Sequence, residues 1–230
     1  MQKDNTATPS QSEDLAQQAA ALFLQAFGNH PGFRLAHAKG IVCQGTFEPA
    51  KSAAELSRAA HFKDGAVPVV VRFSNATGVP QIPDHDPNSN PKGMAIRFKL
   101  PDGGITDIVA NGQNGFVAGT PADFVGFLGS VVATRPDSPK PTPVEQFLAS
   151  HPATLAILSK PNPQPASFAT CSYFANNAFI FVNARGQKQA TRFQIVPLAG
   201  EHHLDPAVAA AKSPDFLFDE LKDRIRHAPI

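Results

Sequence analysis

Met94-Ala-Ile-Arg-Phe-Lys-Leu100, Pro101-Asp-Gly-Gly104 and Ile105-Thr-Asp-Ile-Val-Ala-Asn111 decide the fold of this chain. The first stretch puts Met94, Ile96, Phe98 and Leu100 on one side and Arg97 and Lys99 on the other, the period of a half-buried strand. The Pro-Asp-Gly-Gly run supplies turn residues, so the third stretch returns as an antiparallel partner. Upstream, residues 67–75 form another apolar strand, and 34–47 read as a strand before it. Downstream, 178–183 and 190–197 resume the β pattern around a turn at Ala184-Arg-Gly186. Hairpins rather than regular crossovers join these strands, which predicts an α+β fold with mainly antiparallel pairing.

Helical segments flank the strands. Leu15, Ala19, Leu22, Phe23 and Phe27 follow a 3.6-residue period after Ser12, a capping residue, and stop at Gly28-Asn-His-Pro31. A short helix is expected over 52–61. Thr120-Pro-Ala-Asp123 offers a cap, a proline at the first helical position and an acid in the first turn. A proline-rich link over 136–143 leads to a helix over 144–158, and two more over 206–211 and 215–226 finish the chain. Residues 1–11 read as a flexible tail, 12–230 as one domain, and 78–91, rich in Pro, Asp and Asn, as a long surface loop.

Composition narrows the function. At 230 residues, 42% apolar and 17% charged, the chain can bury a core and is not a disordered polymer. A net charge of +1 with both signs scattered argues against nucleic acid as a partner. No apolar run reaches membrane-spanning length and no secretory signal stands at the N-terminus, so no membrane and a cytoplasmic location are expected. Cys43 and Cys171 lie far apart without a CxxC neighbour, against a disulfide framework or a structural zinc. The 18 phenylalanines, beside one tyrosine and no tryptophan, suit plain core or a pocket for a planar aromatic ligand.

Polar residues raised on apolar strands carry the candidate chemistry. Arg72 and Ser74 share one face of their strand, and Asn111 shares its side with Asp107 and Val109. If strands 34–47, 67–75 and 105–111 are neighbours, His37, Ser74 and Asn111 meet in one cavity. There an imidazole can carry a proton between two oxygens of one molecule, the hydroxyl fixing its tautomer and the amide orienting the substrate. Burial would lower the histidine pKa and keep the ring neutral. Taken singly, each residue has a blander account: a structural histidine, an ion-paired arginine, a turn asparagine before Gly112. Asp84-His-Asp86 and His202-His203 have metal-like spacing but fit solvated turns better, and no G-x-S-x-G elbow accompanies the serine.

Arg34-Leu-Ala-His-Ala-Lys-Gly40, with Gly45-Thr-Phe47 after it, resembles the distal-histidine strand of the haem catalases. Val71-Arg-Phe-Ser74 is similar to their next strand. Asn90-Pro-Lys-Gly-Met-Ala-Ile-Arg-Phe98 resembles their Asp-Pro-Arg-Gly-Phe-Ala-Val-Lys-Phe, and Thr106-Asp-Ile-Val-Ala-Asn111 their strand with the distal asparagine. Thr120-Pro-Ala-Asp-Phe124 and Ser213-Pro-Asp-Phe-Leu-Phe-Asp-Glu220 look closest to the small catalase-related peroxidases.

That resemblance implies a catalase-like antiparallel β-barrel with flanking helices, incomplete at its C-terminus, binding haem b. It implies a haem-dependent peroxidase that reduces hydrogen peroxide or organic hydroperoxides with a small organic electron donor. His37 would be the distal acid–base driving O–O heterolysis, Asn111 would orient peroxide, and Ser74 would bond the imidazole. Arg34 and Arg72 would pair with haem propionates, Phe124 would lie against the porphyrin and Phe116 would line the distal pocket. In the family an iron-ligating tyrosine, one turn after an arginine, falls past Ile230. Tyr173, in Ala169-Thr-Cys-Ser-Tyr-Phe174, does not match that motif, so no axial metal ligand is assigned. A homo-oligomer is compatible with this reading. The alternative is a non-catalytic barrel remnant that binds haem or a lipid-like ligand without turnover.

Overall fold

Hairpin chemistry sets the centre of the sheet. Gly93–Lys99 and Ile105–Asn111 pair antiparallel across the 101–104 turn, with Gly93 opposite Asn111 and Lys99 opposite Ile105. In chain order the strands are β1 (Gly40–Phe47), β2 (Val67–Ser74), β3 (Gly93–Lys99), β4 (Ile105–Asn111), β5 (Tyr173–Ala175), β6 (Phe179–Val182), β7 (Lys188–Thr191) and β8 (Gln194–Ile195). The helices are α1 (Pro9–Phe27), α2 (Ala53–Leu56), α3 (Pro121–Ala133), α4 (Pro143–Ser150), α5 (Pro152–Leu158), α6 (Pro206–Ala210) and α7 (Phe216–His227). These assignments come from a computed structural model, which describes residues 9–63, 65–228 and 230. Two compact units divide the chain.

One unit holds residues 37–77, 81–114 and 162–230. Its six-stranded sheet runs β1-β2-β3-β4-β5-β8, and β6-β7 form a separate hairpin. Strand alternation gives that sheet two unlike faces. Ile41, Phe73, Met94 and Ala110 stand in one cross-strand row and Cys43, Val71, Ile96 and Ile108 in the next. This face carries the core. Phe73 and Ala110 pack with Phe168, Tyr173 and the α7 residues Phe216, Leu217, Phe218 and Leu221. Val67, Val69, Phe98, Ile108 and Ala175 form the second cluster. Leu217 and Leu221 are wholly enclosed, so the apolar stripe of α7 is spent on the sheet.

The sheet is open, with β1 and β8 at its edges, and no closed barrel forms among the described residues. The barrel anticipated above as incomplete is present in part, as this open antiparallel sheet with flanking helices. Strand β3 lies between β2 and β4, so of the strands whose adjacency was the condition for a shared cavity only β1 and β2 are direct neighbours. The predicted strand over 34–47 begins only at Gly40, because His37 adopts a left-handed backbone, φ 53°, that no strand accommodates.

The other unit holds residues 1–36, 78–80 and 115–161. Phe23 of α1 meets Phe27 at 6.0 Å and Phe124 of α3 at 6.1 Å. Helix α3 starts as its sequence predicts: the Thr120 hydroxyl accepts from the Asp123 amide at 3.1 Å. Two boundaries move. Helix α1 begins at Pro9 rather than after Ser12, which takes the inner end of the anticipated tail, residues 9–11, into the helix; residues 1–8 lie outside those described. The single helix expected over 144–158 breaks into α4 and α5 at Pro152, whose ring cannot continue the preceding turn.

Candidate functional site

Antiparallel register lays Gly40, Ser74, Gly93 and Asn111 in one row across β1 to β4. Residues directly opposite one another project to the same face, so the Ser74 hydroxyl and the Asn111 amide stand on one side of the sheet. Gly93 lies between them. The His37 ring fills the space above it: a Cβ built on Gly93 would come within 2.8 Å of His37 Nδ1, His37 Cε1 and Ser74 Oγ. Nδ1 of His37 is hydrogen-bonded to Ser74 Oγ at 3.0 Å. Imidazole, hydroxyl and amide therefore share one face of β2 to β4, with a glycine seat beneath the ring.

His37 is not delivered by a strand. It sits in the segment entering β1, and it alone among the described non-glycine residues has positive φ. Its backbone is clamped at both ends. The His37 amide donates to Ala76 O at 3.1 Å, and the Arg72 guanidinium donates to His37 O at 2.7 Å. The guanidinium lies over Gly40, where a Cβ would collide with it. A residue held in a sparsely populated backbone region by surrounding contacts is a mark of a functional position. The ring is half-buried, not enclosed as the cavity reading expected.

Asn111 is buried and fixed. Its Oδ1 accepts from the Gln113 amide at 2.8 Å, and its Nδ2 donates to Asn176 Oδ1 at 2.6 Å. One N–H of the side chain is spent on Asn176. Beyond this row come Val42, Arg72, Ala95 and Val109, then Gln44, Val70, Arg97 and Asp107. Val42 and Val109 are 60% and 53% exposed. Arg97 and Asp107 pair at 2.9 and 2.8 Å, and this pairing lowers the Asp107 carboxyl pKa and raises that of Arg97. A flat apolar strip with an arginine on it fits a planar apolar group that carries carboxylates.

The remaining predicted residues, Arg34, Phe116 and Phe124, belong to the other unit. Arg34 is exposed, and the Phe116 and Phe124 rings meet at 5.4 Å. Tyr173 is buried, its hydroxyl donates to Phe168 O at 2.9 Å, and burial drives its pKa well above the ordinary phenol value. No cluster of three or more metal-ligating side chains occurs among the described residues.

Sequence reasoning missed two features. Gly93 as the seat of the imidazole was signalled by a glycine at the head of an alternating strand, which often marks close approach. The second is Asp84, expected in a solvated turn and in fact fully enclosed. Its carboxylate accepts from Lys39 and Asn75, both at 2.8 Å, and from the Leu217 amide at 2.9 Å. The predicted surface loop over 78–91 is corrected accordingly: three partners distant in sequence draw its polar centre inward.

Comparisons with known proteins bear on the fold and the family. Solved catalases share the fold: a bacterial catalase superposes with a TM-score of 0.71 at 22% identity, covering 98% of this chain and 46% of that one. A fungal catalase gives 0.72 at 21%, with the same coverage. In sequence, a catalase-related peroxidase of Mycolicibacterium paratuberculosis is 38% identical over 206 residues, 88% of this chain and 64% of the relative. One from Synechococcus elongatus is 35% identical over 211 residues, 89% of this chain and 60% of the relative. The chain thus spans a little under two thirds of the length of these relatives. The catalase family model matches residues 31–229, nearly the whole described chain, and the protein belongs to the catalase family.

Proposed function

We propose that this chain supplies the proton-transfer face of a haem-dependent peroxidase acting on hydrogen peroxide or organic hydroperoxides. One observation carries the reading: the His37 ring rests over Gly93, bonded to Ser74 Oγ, on the sheet face that also bears the Asn111 amide. On that face an imidazole can take the proton from one peroxide oxygen and return it to the other, so that the departing oxygen leaves as water or an alcohol. Ser74 holds the ring plane, and through its hydrogen bond selects which nitrogen carries the proton. Asn111, locked by Gln113 and Asn176, offers its second N–H to the bound peroxide.

Haem, when bound, supplies the electrons that cleave the O–O bond, and a small organic donor restores them. Val42, Ala95 and Val109 would meet its apolar plane, and Arg72, which also holds the His37 carbonyl, would pair with a propionate.

Hemin-loaded chain should turn over peroxide with a donor such as guaiacol. His37→Ala should lower the rate by about 10²- to 10⁴-fold, as loss of a general acid–base group does. His227→Ala, at an exposed helix end, should leave it unchanged. Equal rates in the His37 variant and the parent would refute the assignment. Tyr173, whose hydroxyl is already engaged, favours a second reading, a ligand-binding domain without turnover. That reading predicts a hemin spectrum with no donor oxidation.

A further inference from the structure

We infer that Asp84 is a positioning residue for His37, acting through a buried charge cluster on the opposite side of the sheet from the site. The inference rests on the reading of His37 just given and adds a residue that takes no part in proton transfer itself.

Three positions of the site row, Gly40, Ser74 and Gly93, have a chain neighbour in the cluster, which alternation turns to the other face. Lys39 follows His37 by two positions, Asn75 follows Ser74, and Lys92 precedes Gly93. Asp84 Oδ1 accepts from Lys39 Nζ and Asn75 Nδ2. The Asp84 carbonyl accepts from Lys92 Nζ at 2.9 Å, and Lys92 also reaches Asn75 Oδ1 at 3.1 Å and Ser89 Oγ at 2.6 Å. Lys39 donates further to Ile82 O and Pro214 O and pairs with Asp215 at 2.7 Å. Asp84, Asn75 and Lys92 are all at most 1% exposed.

A fully enclosed carboxylate costs too much to keep unless several donors hold it, and donors so held cannot drift. Here the donors are the segments that fix the imidazole, the hydroxyl and the glycine seat. The Lys92 carbonyl also accepts from the Gly112 amide at 2.8 Å, which ties in the residue after Asn111. The second carboxylate oxygen caps the first turn of α7 at Leu217, so docking of a helix 133 positions away is linked to the same cluster. None of these atoms is on the site face, so Asp84 can act on peroxide chemistry only by where it holds His37, Ser74 and Gly93.

The test uses the full 230-residue chain with ¹⁵N-labelled histidine, without haem or peroxide. His37 resonances are assigned by their loss in His37→Gln. At about pH 8, where a free imidazole is deprotonated, His37 of the parent should show one tautomer. In Asp84→Asn that pattern should give way to an averaged one, with far-UV circular dichroism preserved. Leu221→Ala, which loosens the docked face of α7 but keeps the carboxylate, should leave the His37 pattern as in the parent. An unchanged pattern in folded Asp84→Asn, or an equal change in Leu221→Ala, overturns the inference. If Asp84→Asn does not fold, Asn75→Ala, which removes only the amide bridging Asp84 and Lys92, decides by the same criterion. With hemin loaded, Asp84→Asn should lower kcat about tenfold with KM little changed, the signature of misplacement rather than lost binding. Failure of the parent to turn over peroxide would sink the proposed function and leave the tautomer result standing.

Discussion

Gly93 is the seat of His37: the imidazole lies so close above its α-carbon that any side chain there would overlap Nδ1 and Cε1 of the ring. The glycine heads β3, opposite Ser74 on one side and Asn111 on the other. A strand interior usually loses stability with glycine, so its presence in the one row that holds the histidine is explained by the ring and not by the sheet.

Gly93→Ala should therefore leave a folded sheet and a displaced imidazole. The added methyl meets the ring and Ser74 Oγ at 2.8 Å, closer than carbon atoms tolerate, and side-chain ends yield at less cost than the paired strand backbone. A displacement of this size costs on the order of 10²-fold in rate where proton transfer depends on alignment. Turnover of the hemin-loaded variant, beside its circular dichroism spectrum, checks this. Unchanged turnover would mean that the ring position is not critical.

How much of this could be read from the sequence divides along range. The β3–β4 hairpin and the Thr120 cap were legible because both are written in four to seven contiguous residues. The conformation of 34–39 was not, since His37 is turned out of the β region by Arg72 and by Ala76, neither of which a local pattern can see. The loop over 78–91 misled for the same reason: Asp84 is a turn former by type, and only Lys39, Asn75 and Leu217 make it an interior residue. Strand β5 is three residues long, too short for alternation to register. The types of the site residues were visible; the way they are seated was not.

Arg72→Ala should destabilise the chain by about 1.5–3 kcal/mol, the range for a hydrogen bond from a charged donor. It frees the His37 carbonyl, which the guanidinium holds at 2.7 Å, and with it the left-handed backbone at His37. Arg72→Lys should recover little of the loss, because a single ammonium does not reproduce the planar fork. Urea midpoints at constant slope measure both. A midpoint equal to the parent's in Arg72→Ala would show that the clamp contributes nothing.

Tyr173→Phe tests whether the chain's one tyrosine serves any role at iron. Its hydroxyl is committed to Phe168 O inside the core beneath Phe73. Removing it strands a buried carbonyl and should cost about 1–2 kcal/mol of stability. The hemin absorption spectrum of the variant should match the parent's band for band. Loss of a charge-transfer feature in the variant alone would make Tyr173 a ligand and would contradict its hydrogen bond.

Lys92 gives the fold a pH dependence in a narrow window. Burial pulls its ammonium from 10.5 down to about 7, against the opposing pull of Asp84. A lysine whose folded pKa lies below its unfolded value binds its proton more readily in the unfolded chain. Between about pH 7 and 10.5 the unfolded state therefore carries the extra proton, and stability rises with pH by at most about 1.4 kcal/mol per unit. Below pH 7 both states are protonated and the slope from Lys92 vanishes. His61, lowered by burial, adds a slope of the same sign only below 6.5, and Cys171, raised from 9.0 to about 11, adds one of opposite sign only above 9. The range from pH 7 to 9 thus isolates Lys92. Urea midpoints of the parent should climb across it, and those of Lys92→Met should stay level. A flat profile in the parent would mean that Asn75 Oδ1, Ser89 Oγ and the Asp84 carbonyl hold the ammonium charged in spite of its burial.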